Sequence, residues 1–323
     1  MADDSLLTLA DIEAARVRIG PYVRRTPVLT SDVLDAAAGA RLYFKCENLQ
    51  HIGAFKARGA TNAVFSLTDG EAEKGVATHS SGNHGSAVAR AAALRGVPAY
   101  IVMPKAAARP KVEQVERLGG RITFCDNTQA AREATTEKVI AETGATLVHP
   151  YDDRKVMAGQ GTAALELMED APALDVVLCP IGGGGLISGA ATAVKALRPA
   201  TRFIGVEPAG ADDAARSYAA HRLIPLTEVH TIADGLRASL SPDTFAHIEA
   251  RVDAVATVGE AAIVGAMRAL WEALKVVVEP SAAVPYAAIR DGRVDVEGKA
   301  VGIILTGGNV DLDKLPWLSE GMR

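Results

Sequence analysis

Val176-Val177-Leu178-Cys179-Pro180-Ile181 runs directly into Gly182-Gly183-Gly184-Gly185 and then into Leu186-Ile187-Ser188-Gly189-Ala190-Ala191. The first six residues read as a buried strand and the last six as the opening of a helix. Glycines at such a junction leave backbone N–H groups bare and aimed at one spot, with the positive end of a helix dipole behind them. The spot suits a phosphate, so the chain is expected to hold a phosphorylated ligand.

Outward from this junction, short apolar runs alternate with longer Ala-rich segments. Strands are predicted at 42–46, 75–78, 99–103, 121–125, 146–149, 176–181, 203–206 and 302–305. Helices are predicted near 9–18, 57–66, 83–95, 109–118, 128–142, 157–169, 186–197, 259–274 and 281–289. This alternation predicts an α/β fold of parallel sheets flanked by helices. Ligands of such sheets bind at the carboxyl ends of strands, which is where the glycine run falls. Residues 75–150 read as a compact unit of their own, a small domain inserted into a larger one made of 1–74 and 151–323. No tandem repeat, low-complexity tract or Pro/Gly-rich linker interrupts the chain.

The totals narrow the class. The chain has 323 residues, 49% of them hydrophobic, enough for two α/β lobes with buried cores. A net charge of -5 argues against nucleic acid and anionic membranes as partners. Cys46, Cys125 and Cys179 are widely spaced and form no Cys-x-x-Cys, as in a reduced cytoplasmic protein. The start, Met1-Ala2-Asp3-Asp4-Ser5-Leu6-Leu7, is acidic and reads as no signal peptide. No uncharged apolar run reaches membrane-spanning length.

Three further stretches carry candidate chemistry. Gly53-Ala54-Phe55-Lys56-Ala57-Arg58-Gly59-Ala60 places a lysine after a Phe at a helix entrance. Most lysines are solvated, but a desolvated one can form a Schiff base. Thr78-His79-Ser80-Ser81-Gly82-Asn83-His84-Gly85 lies at a strand-to-helix turn. It reads either as an ordinary cap or as a cradle for a carboxylate or polar ring edge. Leu305-Thr306-Gly307-Gly308-Asn309 follows a late strand and read alone is a strand end with a turn.

In this order and at about this spacing, the four stretches resemble the fold-type II pyridoxal-phosphate enzymes, which are two-lobed and tryptophan synthase β-like. Within them the chain resembles the branch of serine/threonine dehydratases, serine racemases and hydroxyaspartate dehydratases. The likeness runs from Arg25-Thr26-Pro27-Val28 to Asn309-Val310-Asp311. It implies pyridoxal 5'-phosphate as the phosphorylated ligand. Lys56 would then hold the cofactor and remove the Cα proton, with Phe55 beside the ring. Asn83 would bond the ring 3'-oxygen, and Gly182, Gly183, Gly184, Gly185 and the N–H of Leu186 would bind the phosphate. Thr306 would face the pyridine nitrogen. A neutral hydroxyl does not hold that nitrogen protonated as an Asp would, which suits β-elimination.

The resemblance also assigns the substrate carboxylate to the turn holding Ser80, Ser81, Asn83 and His84. Ser81 aligns with a second acid/base on the opposite ring face, as racemisation requires. Arg132 aligns with an arginine that reaches the substrate in racemase-like members, and an arginine grips a carboxylate bidentately. Glu207, Ala211 and Asp213 resemble a racemase-type divalent cation site. Two carboxylates and a backbone carbonyl suit Mg²⁺, Mn²⁺ or Ca²⁺. Departures from the pattern are Tyr151, where racemases often carry Asn, and His51-Ile52 in place of a Lys-Thr pair tied to nucleotide binding.

The expected reaction is loss of water from a small β-hydroxy amino acid (L-serine, L-threonine or 3-hydroxyaspartate) to give a keto acid and ammonia, in a homodimer. Serine racemisation is the alternative. A β-replacement enzyme such as cysteine synthase fits less well, because Ser-Ser-Gly-Asn-His matches the dehydratases better. Retention of Lys56 argues against an amino-acid sensor without catalysis. A simple phosphate- or nucleotide-binding module is the remaining reading.

Overall fold

A computed structural model describes residues 6–80, 82–107 and 109–318. Its first third runs α1 (Leu9–Ile19), β1 (Val28–Leu29), α2 (Asp32–Ala38), β2 (Arg41–Cys46), α3 (Lys56–Ser66), α4 (Asp69–Glu73), β3 (Val76–His79), α5 (Asn83–Arg95) and β4 (Ala99–Pro104). There follow α6 (Arg109–Arg117), β5 (Arg121–Cys125), α7 (Gln129–Thr143), β6 (Thr146–Leu147), α8 (Arg154–Asp170), β7 (Val176–Pro180), α9 (Gly185–Leu197) and β8 (Arg202–Pro208). The chain ends in α10 (Asp213–Ala220), α11 (Pro242–Arg251), β9 (Ala254–Val258), α12 (Glu260–Leu274), α13 (Pro280–Arg290) and β10 (Ala300–Leu305).

Two sheets result. The larger has the order β1-β2-β10-β7-β8-β9 and is parallel except for β1. The smaller has the order β5-β4-β3-β6 and is parallel throughout. Burial along β7 explains why an unbroken apolar run makes a strand here. Val176 and Leu178 share one cluster with Val284 and Ala287 of α13, the helix that covers this face. Val177 and Cys179 pack with Leu165 of α8 and Ile187 of α9 on the other. A strand covered on both faces is apolar at every position. In the smaller sheet, Val76 and Ile101 close against Ala87, Val88 and Ala91 of α5, where small side chains let helix and sheet approach.

The elements that differ from expectation are at the edges. β1 and β9 are sheet-edge strands, α10 and α11 fall where no helix is predicted, and α2 and α4 are short. β9 is half-buried along most of its length, so it lacks the bulky apolar run that marks a central strand. β6 stops at Leu147, two residues early, ahead of His149-Pro150. α8 begins at Arg154 because the Asp153 carboxylate accepts from the N–H groups of Lys155 and Val156, at 2.7 and 3.2 Å.

One buried ionic cluster anchors the segment that carries Lys56. Arg58 is fully buried and donates to Glu47 at 2.7 and 2.8 Å and to Glu166 at 2.7 and 2.8 Å. Lys45 reaches Glu166 at 2.6 Å. Two forked guanidinium–carboxylate contacts of this kind fix orientation as well as distance. They tie the first turn of α3 to the end of β2 and to α8. Phe55 N–H donates to the Thr306 carbonyl at 3.0 Å, and Gly308 N–H to Gly53 at 2.9 Å. The start of α3 therefore lies beside the end of β10. Among the described residues no helix is long and apolar enough to cross a membrane.

Candidate active site

The carboxyl ends of β3, β6, β7 and β10 open onto one cavity of about 870 Å³. That is within the size range of small-molecule and cofactor sites. Into it project the residues after each strand: Ser80 and Asn83, Tyr151, the glycines 182–185, and Thr306. Lys56 enters from the first turn of α3. The four stretches singled out in the sequence thus converge. Ser81 lies outside the described residues.

The glycine run is both a cradle and a packing requirement. Gly184 has φ +88, a left-handed conformation that favours glycine. It caps α9 without any side-chain bond, so the first-turn N–H groups of that helix have no partner within it. At Gly183 a Cβ would fall within 2.4 Å of the Tyr151 ring, so Tyr151 occupies the space a side chain would need. This departure from the family pattern packs directly on the cradle. Burial pushes its phenol up to about 12, so it stays protonated.

Lys56 donates to the Pro150 carbonyl at 2.6 Å, and its ammonium stands 5.1 Å from the Phe55 ring centre. Burial without an anionic partner lowers its pKa to about 8. An amine so placed is readily neutral and nucleophilic. Thr306 is 3% exposed, and its Oγ1 has no hydrogen-bond partner among the described residues. An orphaned buried hydroxyl facing a cavity fits a ring nitrogen. The glycine cradle, the neutral-prone lysine and this hydroxyl form a set that suits pyridoxal 5'-phosphate.

Around the rest of the cavity, polar groups are arranged asymmetrically. The Ser80 hydroxyl accepts from Gly82 N–H at 3.3 Å. His84 Nε2 donates to the Val148 carbonyl at 3.0 Å, which leaves Nδ1 buried, unpartnered and bearing a lone pair. As placed, the His84 ring therefore offers a carboxylate no N–H. Burial holds His84 and His79 well towards the neutral form, and His149 is lowered to about 4. Arg132 on α7 lines the cavity, and its Nε is buried without a hydrogen-bond partner among the described residues. Lys111 on α6 pairs with Asp234 at 2.6 Å, joining the small-sheet side of the cavity to the large-sheet side.

Glu279 on the cavity wall is a residue that sequence reasoning passed over, and Asn309, quoted there only as the end of its stretch, backs it. Glu279 is 3% exposed and accepts from Asn83 Nδ2 at 3.0 and 3.2 Å. Asn309 Nδ2 donates to Asn83 Oδ1 at 2.8 Å. In the sequence Glu279 precedes Pro280 at a helix start, where an acidic residue is ordinary. Nothing local marks its contact with Asn83, 196 residues earlier.

Farther off, Glu207 at the end of β8 and Asp213 at the start of α10 are 1% and 2% exposed. Glu207 accepts from the N–H groups of Ala214 and Ala215, and Asp213 from that of Leu240. Burial raises both carboxyls, Glu207 to about 9. Among the described residues no group of three His, Cys, Asp or Glu side chains gathers to hold a metal.

The family described as pyridoxal-phosphate dependent enzyme matches residues 19–307. A β-hydroxyaspartate dehydratase of Paracoccus denitrificans is 52% identical over 310 residues, covering 96% of this chain and 98% of the relative. A serine racemase of Oryza sativa subsp. indica is 50% identical over 309 residues, covering 94% of this chain and 91% of the relative. Among solved structures, maize serine racemase superposes with a TM-score of 0.92 at 49% identity, covering 94% of each chain.

Proposed function

The chain belongs to the pyridoxal-phosphate-dependent enzymes, and on that premise we propose that it removes water from 3-hydroxyaspartate to give oxaloacetate and ammonia. The observation that carries the choice of substrate is Arg132. Its unpartnered, buried Nε on the cavity wall suits a second carboxylate, which 3-hydroxyaspartate has and serine lacks. The 52% identity to a β-hydroxyaspartate dehydratase supports the same reading.

The protein's contribution is positional. Phe55, Asn83, Thr306, the glycines 182–185 and the N–H of Leu186 would hold the cofactor, and Lys56 would tether it until the amine of the substrate takes the lysine's place and frees it. When bound, the cofactor supplies an electron sink for the pair left at Cα. Lys56 takes the Cα proton in its neutral form. The Ser80–His84 turn, Ser81 included, receives the α-carboxylate through backbone N–H and hydroxyl groups. The hydroxyl at Cβ leaves with a proton as water. The resulting enamine tautomerises and adds water, so that ammonia and the keto acid are released. The two sheets are proposed to mark two domains, 75–150 and the remainder, with the reaction in the cleft between them.

The direct test presents the cofactor-loaded enzyme with the four 3-hydroxyaspartate isomers, L-serine, D-serine and L-threonine, reading keto acid and ammonia. At least one hydroxyaspartate isomer should be the best substrate by kcat/KM. Faster turnover of serine than of every hydroxyaspartate isomer would remove this reading. The likeness to serine racemases favours a second reading, interconversion of serine enantiomers. Chiral analysis of residual serine in the same assay detects it.

A divalent cation at Glu207, Asp213 and the Ala211 carbonyl is part of the proposal. Burial raises both carboxyls and the Asp213 charge raises Glu207 further, and a hard cation relieves that cost. After chelation, adding Mg²⁺ or Mn²⁺ should raise the melting temperature, since a ligand of the native state alone stabilises by about 2.7 kcal/mol at 100 times its Kd. Glu207→Ala should abolish the response. No metal by elemental analysis, together with no response to chelator, would exclude the site.

A further inference from the structure

We infer that Glu279 is a positioning residue for the cofactor ring, because with Asn309 it fixes which edge of the Asn83 amide faces the cavity. This rests on the reading that Asn83 meets the ring oxygen. A carboxylate accepts, so the Asn83 edge facing Glu279 is its NH₂ group, at 3.0 and 3.2 Å. The Asn309 amide nitrogen donates, so the edge facing it is the Asn83 oxygen, at 2.8 Å. A flipped Asn83 would set oxygen against carboxylate and NH₂ against NH₂. One Asn83 hydrogen shared across the Glu279 oxygens leaves the other free for the cavity.

The lock is itself locked. Asn309 spends its second amide hydrogen on the Ile52 carbonyl at 2.8 Å, and its backbone N–H on Glu279 Oε2 at 3.2 Å. Glu279 N–H donates to the Gly307 carbonyl at 2.9 Å. A Cβ at Gly307 would come within 2.5 Å of Glu279 Oε1, so glycine at 307 is what admits the carboxylate. The ring of contacts joins four segments: the start of α5, the start of α13, the turn after β10 and the turn before Lys56.

Stability alone does not account for a carboxyl group here. The donors to Glu279 are neutral amides, and a buried carboxylate held only by neutral groups is a poor source of folding energy. Burial, and then the charge of Asp234, raise its pKa to about 7 against the lowering by the Asn83 and Asn309 hydrogen bonds and by Lys111. The group therefore places a switchable negative charge within one amide of the ring.

The test uses the cofactor-loaded enzyme and four variants: Glu279→Gln, Glu279→Asp, Asn83→Ala and the double variant Asn83→Ala/Glu279→Gln. One readout is the pH midpoint of the visible absorbance of the lysine-linked cofactor, and another is kcat and KM on 3-hydroxyaspartate. Glu279→Gln presents an NH₂ or a misplaced oxygen to Asn83. It should lower kcat by about 10- to 100-fold, with KM little changed and the melting temperature no lower than wild type. Loss of the nearby anion should move the absorbance midpoint down by about one pH unit. Glu279→Asp keeps the charge but draws it back, so it should restore the midpoint and not kcat. The double variant should be no worse than the poorer single, because both act through one contact. An unmoved midpoint in Glu279→Gln, a wild-type kcat in Glu279→Asp, or additive losses in the double variant would each overturn the inference. If Glu279→Gln does not fold, the kcat of Glu279→Asp alone decides. The absorbance needs no substrate, so failure of the hydroxyaspartate reading leaves this test standing.

Discussion

Lys56→Ala is expected to reduce turnover by about 10³-fold or more while the fold survives. The size follows from losing two roles at once, the covalent hold on the cofactor and the proton transfer at Cα, the second alone being worth about 10²- to 10⁴-fold. The fold should survive because, among the described residues, the amine's hydrogen bond goes to the Pro150 carbonyl at the cavity wall, where water can replace it. Alanine is also a better helix residue at the start of α3. The pH dependence has a definite sign. Burial lowers the wild-type amine to about 8, and the ammonium form below that pH has no lone pair to attack the cofactor. Reloading of stripped wild-type enzyme should therefore accelerate as pH rises through about 8 and then level off. The variant should show no such rise, and borohydride should fix no cofactor mass to it. Turnover by Lys56→Ala within tenfold of wild type would sink the assignment of this lysine.

Arg132→Ala is expected to separate the two substrate classes. In the wild type the Arg132 Nε is buried and unpartnered, so a distal carboxylate would find a donor already stripped of water. Truncating one member of a buried charge pair costs about 2–5 kcal/mol, which is roughly 30- to several-thousand-fold in kcat/KM. Serine has no second carboxylate and should lose about threefold or less, within the range of a surface change. Arg132→Lys should recover only part of the loss, because an ammonium lacks the planar fork. Parallel kcat/KM measurements on 3-hydroxyaspartate and serine decide the matter. Equal losses on the two would leave Arg132 with no part in substrate choice and return the site to serine or threonine.

Much of this protein is legible in its amino-acid order. Val176 to Pro180 and Ala300 to Leu305 announce central strands because both of their faces are covered, so every position must be apolar. The glycines 182–185, Lys56, Asn83 and Thr306 are marked because each follows a strand or opens a helix, and the chemistry of such junctions is local. The two edge strands of the larger sheet, β1 and β9, escaped notice, β9 because partial burial dilutes the pattern: it is bordered by one neighbour and half-open to solvent.

Other features exist only in the folded chain. Arg58 carries no local mark of its role, which exists only once the fold brings Glu47 and Glu166 around it. Gly183 reads as phosphate-binding, but its lack of a side chain is required equally by the Tyr151 ring, 32 positions away in the chain. Glu279 and Asn309 acquire their roles from Asn83, at separations of 196 and 226 residues. Local pattern records how often a residue is buried and where the backbone must turn. It holds no record of which distant polar group will meet a buried carboxylate, because that partner is chosen by the packing of two sheets and not by either segment alone.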